Sequence, residues 1–177
     1  MGIEIIVSIT FAALLVYQGG RRQKEAALDR FALWGGLLLF SAFLLRLLLG
    51  YYTQGYQTDI DTFKSWGRIL NEVGFKRLYQ QDIYLDYPPG YLYVLGLLDR
   101  IRLFLGLPEA SGGYTLLMKT PAIFADLLCG WALLRLGRPR IGDRAALFVS
   151  GAYLFCPAVL VNSAQWGQVD SFCTALL

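Results

Sequence analysis

Thr58-Asp59-Ile60-Asp61-Thr62-Phe63-Lys64-Ser65-Trp66 sets two carboxylates at the mouth of an amphipathic helix, after the apolar run Phe31 to Leu49. Ile60, Phe63, Trp66, Ile69 or Leu70, and Val73 recur at helical spacing, with Lys64, Ser65, Arg68, Asn71 and Glu72 between them. A helix with one apolar stripe beside a membrane span lies in the interface, so these acids stand at a bilayer boundary with water on one side. Their spacing has a structural reading: Thr58 or Asp59 caps the helix and Asp61 complements the positive end of its dipole. It also has a chemical one: either carboxylate can take a proton from a hydroxyl, or the pair can hold a divalent cation.

Composition agrees with a lipid solvent. Of 177 residues 56% are hydrophobic, and the mean hydropathy is +0.47, too apolar for an ordinary soluble domain. Net charge is +3, and the sixteen Lys and Arg gather in short clusters between apolar runs. That is a pattern of membrane topology, with no stripe for nucleic acid. The chain has no histidine, and Cys129, Cys156 and Cys173 sit in apolar stretches without CxxC spacing. The usual zinc constellations are thereby excluded, and the cysteines read as small buried hydrophobes.

The apolar runs are Ile3 to Tyr17, Phe31 to Leu49, Tyr91 to Leu107, Tyr114 to Leu134, Ala145 to Val161, and the start of another at Phe172. Crossing a bilayer takes about 20 helical residues, which the second and fourth supply. Two basic segments, Arg21-Arg22-Gln23-Lys24 onward to Arg30 and Arg135 to Arg144, belong on the cytoplasmic side. An even number of crossings must lie between them, yet three runs intervene. Tyr91 to Leu107 is the one that does not cross, because Asp99, Arg100 and Arg102 fall in it, and central charges cost roughly 2.5–3.5 kcal/mol each.

The expected fold is therefore all-α: polytopic transmembrane helices, with one long extracytoplasmic loop, 50–113, carrying two interfacial helices. The whole of 1–177 is one membrane domain. It stops inside a fresh apolar run at Ala175-Leu176-Leu177, which reads as the N-terminal portion of a longer protein. This topology gathers Asp59 and Asp61, the Asp86-Tyr87-Pro88-Pro89 turn, and Asn162-Ser163-Ala164-Gln165-Trp166-Gly167-Gln168-Val169-Asp170 on one face.

Asp86 can cap a helix that starts at the prolines. Gln165, Gln168 and Asp170 can hydrogen-bond sugar hydroxyls while Trp166 stacks on the ring or anchors at the interface. Lys119 and Asp126, seven residues apart, share one face about 10.5 Å apart along the axis, and ionisable groups at that depth are functional or paired. Pro121 between them predicts a kink. Arg46 and Lys119 each read as a snorkelling anchor or a ligand for a lipid phosphate.

Taken together, the external acidic pair with Phe63 and Trp66, then Asp86-Tyr87-Pro88-Pro89, the Lys119 to Asp126 helix, a basic loop and Asn162 to Asp170 resemble the GT-C class of integral-membrane glycosyltransferases. The likeness runs from about Leu44 onward and is greatest to bacterial relatives of the mannosyl- and glucosyltransferases that use polyprenyl- or dolichyl-phosphate sugars. It implies a hexosyltransferase of the plasma membrane, working on the extracytoplasmic face. Its partners would be a polyprenyl-phosphate sugar donor, a lipid- or glycan-linked acceptor and membrane lipids. Asp59 maps onto the family's catalytic acid and Asp61 onto its second acid. Asp86, Tyr87, Lys119, Arg46, Gln165, Trp166, Gln168 and Asp170 would contact substrate. Eukaryotic members carry His where this chain has Gln165 to Gln168. Two rival classes fit the same sequence: a transporter or flippase of lipid-linked sugars with a Lys119–Asp126 relay, and a non-catalytic membrane subunit.

Overall fold

The computed structural model describes residues 29–176, which form helices and no strand. The expected first helix, Ile3 to Tyr17, and the basic segment from Arg21 to Lys24 lie outside the described residues. Helix α1 is Arg30–Tyr52, α2 Gln57–Val73, α3 Phe75–Leu78, α4 Pro89–Phe104, α5 Gly112–Ile141, α6 Asp143–Leu154 and α7 Pro157–Leu160; a π-helix, Val161–Trp166, and α8, Asp170–Ala175, follow.

Helices α1 and α5 are long and apolar enough to cross a membrane, and α6 with the segment Pro157–Trp166 makes a third crossing if that bent pair counts as one. Helix α1 starts at the side-chain cap of Asp29, whose Oδ1 accepts from Phe31 N at 3.1 Å. It buries Gly35, Leu39, Ala42, Phe43, Arg46 and Gly50 along one stripe. Its other side exposes Leu33, Trp34, Leu37, Phe40, Leu44 and Leu48, an apolar surface suited to lipid. Leu39, Ala42 and Phe43 pack with Leu116, Ile123, Leu127 and Leu134 of α5 and Leu154 of α6. The α5–α6 approach is close at Gly130, where an added Cβ would lie 2.6 Å from Leu154 Cδ2.

Ion pairs and caps fix the directions. At one end Arg138 Nη1 meets Asp29 Oδ2 at 2.7 Å and Arg138 Nε meets Asp143 Oδ1 at 3.1 Å. At the other, Lys119 Nζ donates to the last carbonyls of α1. Helices α1 and α5 are thus antiparallel, with Arg138 and Arg140 at one end and Asp59, Asp86 and Gln168 at the opposite one.

The segment between α1 and α5 builds a second core. Ile60, Phe63, Trp66 and Leu70 of α2 meet Tyr91, Leu92, Leu95 and Leu98 of α4, and Tyr114 and Met118 of α5 close the cluster. Glycines set the crossing: a Cβ on Gly67 would lie 2.7 Å from Leu95 O, and one on Gly96 2.7 Å from Leu70 Cδ2. Asp99, the charge that argued against a crossing, is buried and satisfied. It accepts from Asn71 Nδ2 at 2.9 Å, Arg102 Nε at 2.7 Å and Tyr114 Oη at 3.0 Å.

Several local expectations need correction. Neither Thr58 nor Asp59 caps α2: the helix begins at Gln57 behind Tyr56, and Asp59 lies in its first turn. Asp86 does not cap α4, because Pro88 occupies that position and the Asp86 carboxylate is taken by Tyr84 Oη at 2.8 Å. The basic segment Arg135 to Arg144 is mostly the last turns of α5, which runs unbroken through Pro121 and Pro139 and turns at Gly142, φ +82. Ala145 to Val161 is not one helix: it breaks after Leu154, since Pro157 starts a new helix and offers no N–H to continue the old one, and the pieces meet at 46°. None of the cysteines is fully buried: Cys129 and Cys156 are partly exposed and Cys173 is exposed.

Candidate functional site

The site begins with two chain turns that need left-handed backbone. Gly55 has φ +84 and Gly167 φ +85, and a side chain at either would also collide. A Cβ on Gly55 would lie 2.8 Å from Ile60 Cγ1 and 3.0 Å from Trp166 O; one on Gly167 would lie 2.8 Å from Ile60 Cδ1 and 3.1 Å from Lys119 Cγ. These glycines let the start of α2 and the end of the π-helix touch. Tyr56 N donates to Trp166 O at 3.1 Å, and Gly167 N and Gln168 N both return to Asn162 O.

Lys119 is the peg beneath this contact. It is fully buried, and its ammonium donates to Gly50 O at 3.2 Å, Thr53 O at 2.8 Å and Thr53 Oγ1 at 2.9 Å. These oxygens belong to the negative end of α1, so the helix dipole provides the counter-charge. Thr53 Oγ1 in turn donates to Leu49 O at 2.6 Å and reaches Gln165 O at 3.3 Å.

Above the peg, Gln168 Nε2 donates to Asp59 Oδ2, joining residues 109 positions apart. Asn162 Nδ2 holds Asp170 Oδ2 at 2.9 Å. Tyr87 packs among Phe63, Trp66 and Tyr91 at ring distances of 5.2, 5.5 and 5.8 Å. Burial pushes its hydroxyl above the ordinary tyrosine value, and the fields of Asp59, Asp86 and Asp170 push it further. Trp166, half exposed, has its ring 6.2 Å from that of Tyr56, and Gln165 is exposed beside it.

The two acids of the pair face different surroundings. Two residues along a helix is a turn of about 200°, so the side chains point apart. Asp59 faces Gln168. Asp61 instead borders a separate open cleft of about 390 Å³ with Thr62, Ser65, Trp66, Ile83 and Tyr84. Trp66 Nε1 donates to Tyr84 O at 2.9 Å and holds that cleft's far wall in place. Lys64, next along the helix, donates to Thr115 Oγ1 at 3.0 Å; burial pushes its ammonium down, opposed by the fields of Asp61 and Glu109. Among the described residues no group of three or more His, Cys, Asp or Glu could hold a metal ion.

Arg46 and Asp126 are engaged deeper in the bundle. Arg46 Nε meets Asp126 Oδ2 at 2.9 Å with both side chains fully buried, and Ser163 Oγ at 2.5 Å and Tyr153 Oη at 3.3 Å complete the carboxylate's shell. Of the ten site residues read from sequence, Asp59, Asp86, Tyr87, Gln165, Trp166, Gln168 and Asp170 gather at one end. Asp61 lies round the helix from them, Lys119 beneath, and Arg46 apart. Sequence reading missed Thr53, and it placed Asn162 and Ser163 in the 162–170 stretch without a role for either; the two glycines flanking the contact are the signal that could have found Thr53 and the part of Asn162. Comparison with protein-family models, curated proteins and solved structures finds no match.

Proposed function

We propose that this chain belongs to a glycosyltransferase that moves a hexose from a polyprenyl-phosphate donor to an acceptor hydroxyl on the extracytoplasmic face of the cell membrane. The observation that carries the reading is the Gln168–Asp59 hydrogen bond, which joins the first turn of α2 to the segment after the π-helix. It leaves Asp59 with one oxygen held by an amide donor and the other available, the arrangement a positioned general base requires.

In this mechanism Asp59 takes the proton of the acceptor hydroxyl as its oxygen attacks the anomeric carbon; the bond to phosphate breaks and the lipid phosphate leaves. Gln168 orients the base. Gln165 and Asp170 bond sugar hydroxyls, Trp166 offers a ring face, and Tyr87 with Asp86 borders the sugar from the α4 side. The likeness to GT-C enzymes supports the same assignment. So does the facing: the carboxylates lie at the end opposite Arg138 and Arg140, and Arg-rich ends stay cytoplasmic. Nucleotide sugars are cytoplasmic, so a lipid-linked donor suits that outer face. In this arrangement Arg46 is bonded to Asp126 and Lys119 to the end of α1.

The test is Asp59→Asn in the protein as its gene encodes it, in membranes supplied with a radiolabelled polyprenyl-phosphate hexose. Loss of a positioned base lowers transfer by about 10²–10⁴-fold, with insertion and helix content unchanged. Near-normal turnover would refute the assignment.

A further inference from the structure

A cleft of about 200 Å³ opens between the C-terminal half of α2 and the outer side of α4, away from the carboxylates. Leu70, Phe75, Tyr93, Gly96 and Leu97 make it apolar, and the rings of Phe75 and Tyr93 stack at 4.5 Å and 5°. Arg100 stands at its rim. Its Nε donates to Asn71 Oδ1 at 2.9 Å, which aims the guanidinium, and Asn71 is itself fixed by donating to Gly96 O and Asp99 Oδ2. Among the described residues the Nη groups of Arg100 make no hydrogen bond and no ion pair.

The level of this cleft follows from its neighbours. Asp99, next to Arg100, accepts from Tyr114 Oη, and Lys64 of α2 donates to Thr115 Oγ1. Tyr114 and Thr115 lie in the first turn of α5, a helix able to cross the membrane. Arg100 is therefore level with the first turn of α5, where a membrane-crossing α5 would meet the lipid phosphates. Leu97 and Phe104, on the same face of α4 as Arg100, are 58% and 89% exposed, apolar side chains turned outward at that depth.

We propose that this cleft binds an anionic phospholipid of the surrounding bilayer, its phosphodiester on the Nη groups of Arg100 and its upper acyl chain along Leu97, Tyr93 and Phe75. A guanidinium fork matches two phosphate oxygens, and because the choline cation of a zwitterionic head group is repelled by the same guanidinium, the Arg100 charge itself selects a net anionic head group. The site is separate from the glycosyl-transfer reading and stands or falls without it.

The experiment places a photo-crosslinking benzoylphenylalanine at Leu97 of the natural protein in nanodiscs of equal phosphatidylglycerol and phosphatidylcholine, with adducts read by mass spectrometry. Phosphatidylglycerol is captured over phosphatidylcholine by about fivefold, the ratio one basic residue confers at a membrane surface. Arg100→Gln brings the ratio to about one, while Arg77→Gln leaves most of it. Equal capture of both lipids, or a preference that survives Arg100→Gln, overturns the site. A second measurement uses unsubstituted Arg100 and titrates phosphatidylglycerol into phosphatidylcholine discs. Adducts saturate at Leu97 and rise linearly for the same probe at Phe148, an exposed position on α6; parallel curves overturn the proposal. Displacement by trace polyprenyl phosphate would instead assign the cleft to a lipid-linked sugar carrier and overturn the choice of ligand.

Discussion

Breaking the Arg46–Asp126 pair from each side in turn has unequal consequences that the geometry dictates. Both side chains are fully buried with Nε and Oδ2 2.9 Å apart, and removing one partner of such a pair costs about 3–5 kcal/mol. Asp126→Leu leaves Arg46 with a charge it cannot shed, one acceptor at Ala42 O and an Nη2 that has none. Arg46→Met leaves an aspartate that keeps two hydrogen-bond donors, Ser163 and Tyr153. Asp126→Leu therefore falls near 5 kcal/mol and Arg46→Met near 3 kcal/mol. In the double variant no charge remains. Ser163 retains its bond to Val159 O at 3.0 Å, and the Tyr153 hydroxyl loses its carboxylate partner and keeps only the weak one at Cys129, costing about 1–3 kcal/mol. Thermal unfolding in detergent reads this as drops of about 10–20 °C for Asp126→Leu and about 6–12 °C for Arg46→Met, with the double variant above the former. A double variant that loses the sum of the two, or an Arg46→Met that is the worse single change, refutes the reasoning.

Gly130→Ala sets a methyl 2.6–2.8 Å from three atoms of the Leu154 side chain, which is itself fully buried; overpacking of this kind costs about 1–3 kcal/mol in thermal unfolding. A neutral alanine would show that α5 and α6 do not meet there. Asp99 titrates with a defined sign: burial raises its pKa, but the hydrogen bonds from Asn71, Arg102 and Tyr114 outweigh burial and hold it below the ordinary carboxylate value. Its contribution is complete above the unfolded value of about 3.9 and is lost as pH falls through the lower folded value. An acid unfolding curve read by circular dichroism loses that limb in Asp99→Asn, and an unchanged curve would sink the assignment.

Much of the architecture was legible because hydropathy and period are local properties. The stripe Ile60, Phe63, Trp66, Leu70 is the buried face of α2, and the runs 31–49 and 114–134 lie inside the two helices able to cross a membrane. Helix ends were read less well, since they turn on single residues: the Tyr56 start of α2, the Gly142 turn and the break ahead of Pro157. At the candidate site, residue types in each segment could be named from sequence, but not their partners. The same Asp86 reads as a cap or as an acceptor for Tyr84, and only the path of residues 79–88 settles which.

What the sequence determined by itself is the helical class, the two runs apolar enough to cross a membrane and the end of the bundle at which acids and amides collect, because hydropathy and helical periodicity act residue by residue along the chain. Tertiary structure alone decided that Asp59 meets Gln168 while Asp61 turns to another cleft, and that Arg46 and Lys119 bond to Asp126 and to the end of α1. A residue's spacing gives its direction around its own helix; which distant group waits there depends on how the helices cross, and that is set by close approaches at Gly55, Gly67, Gly130 and Gly167.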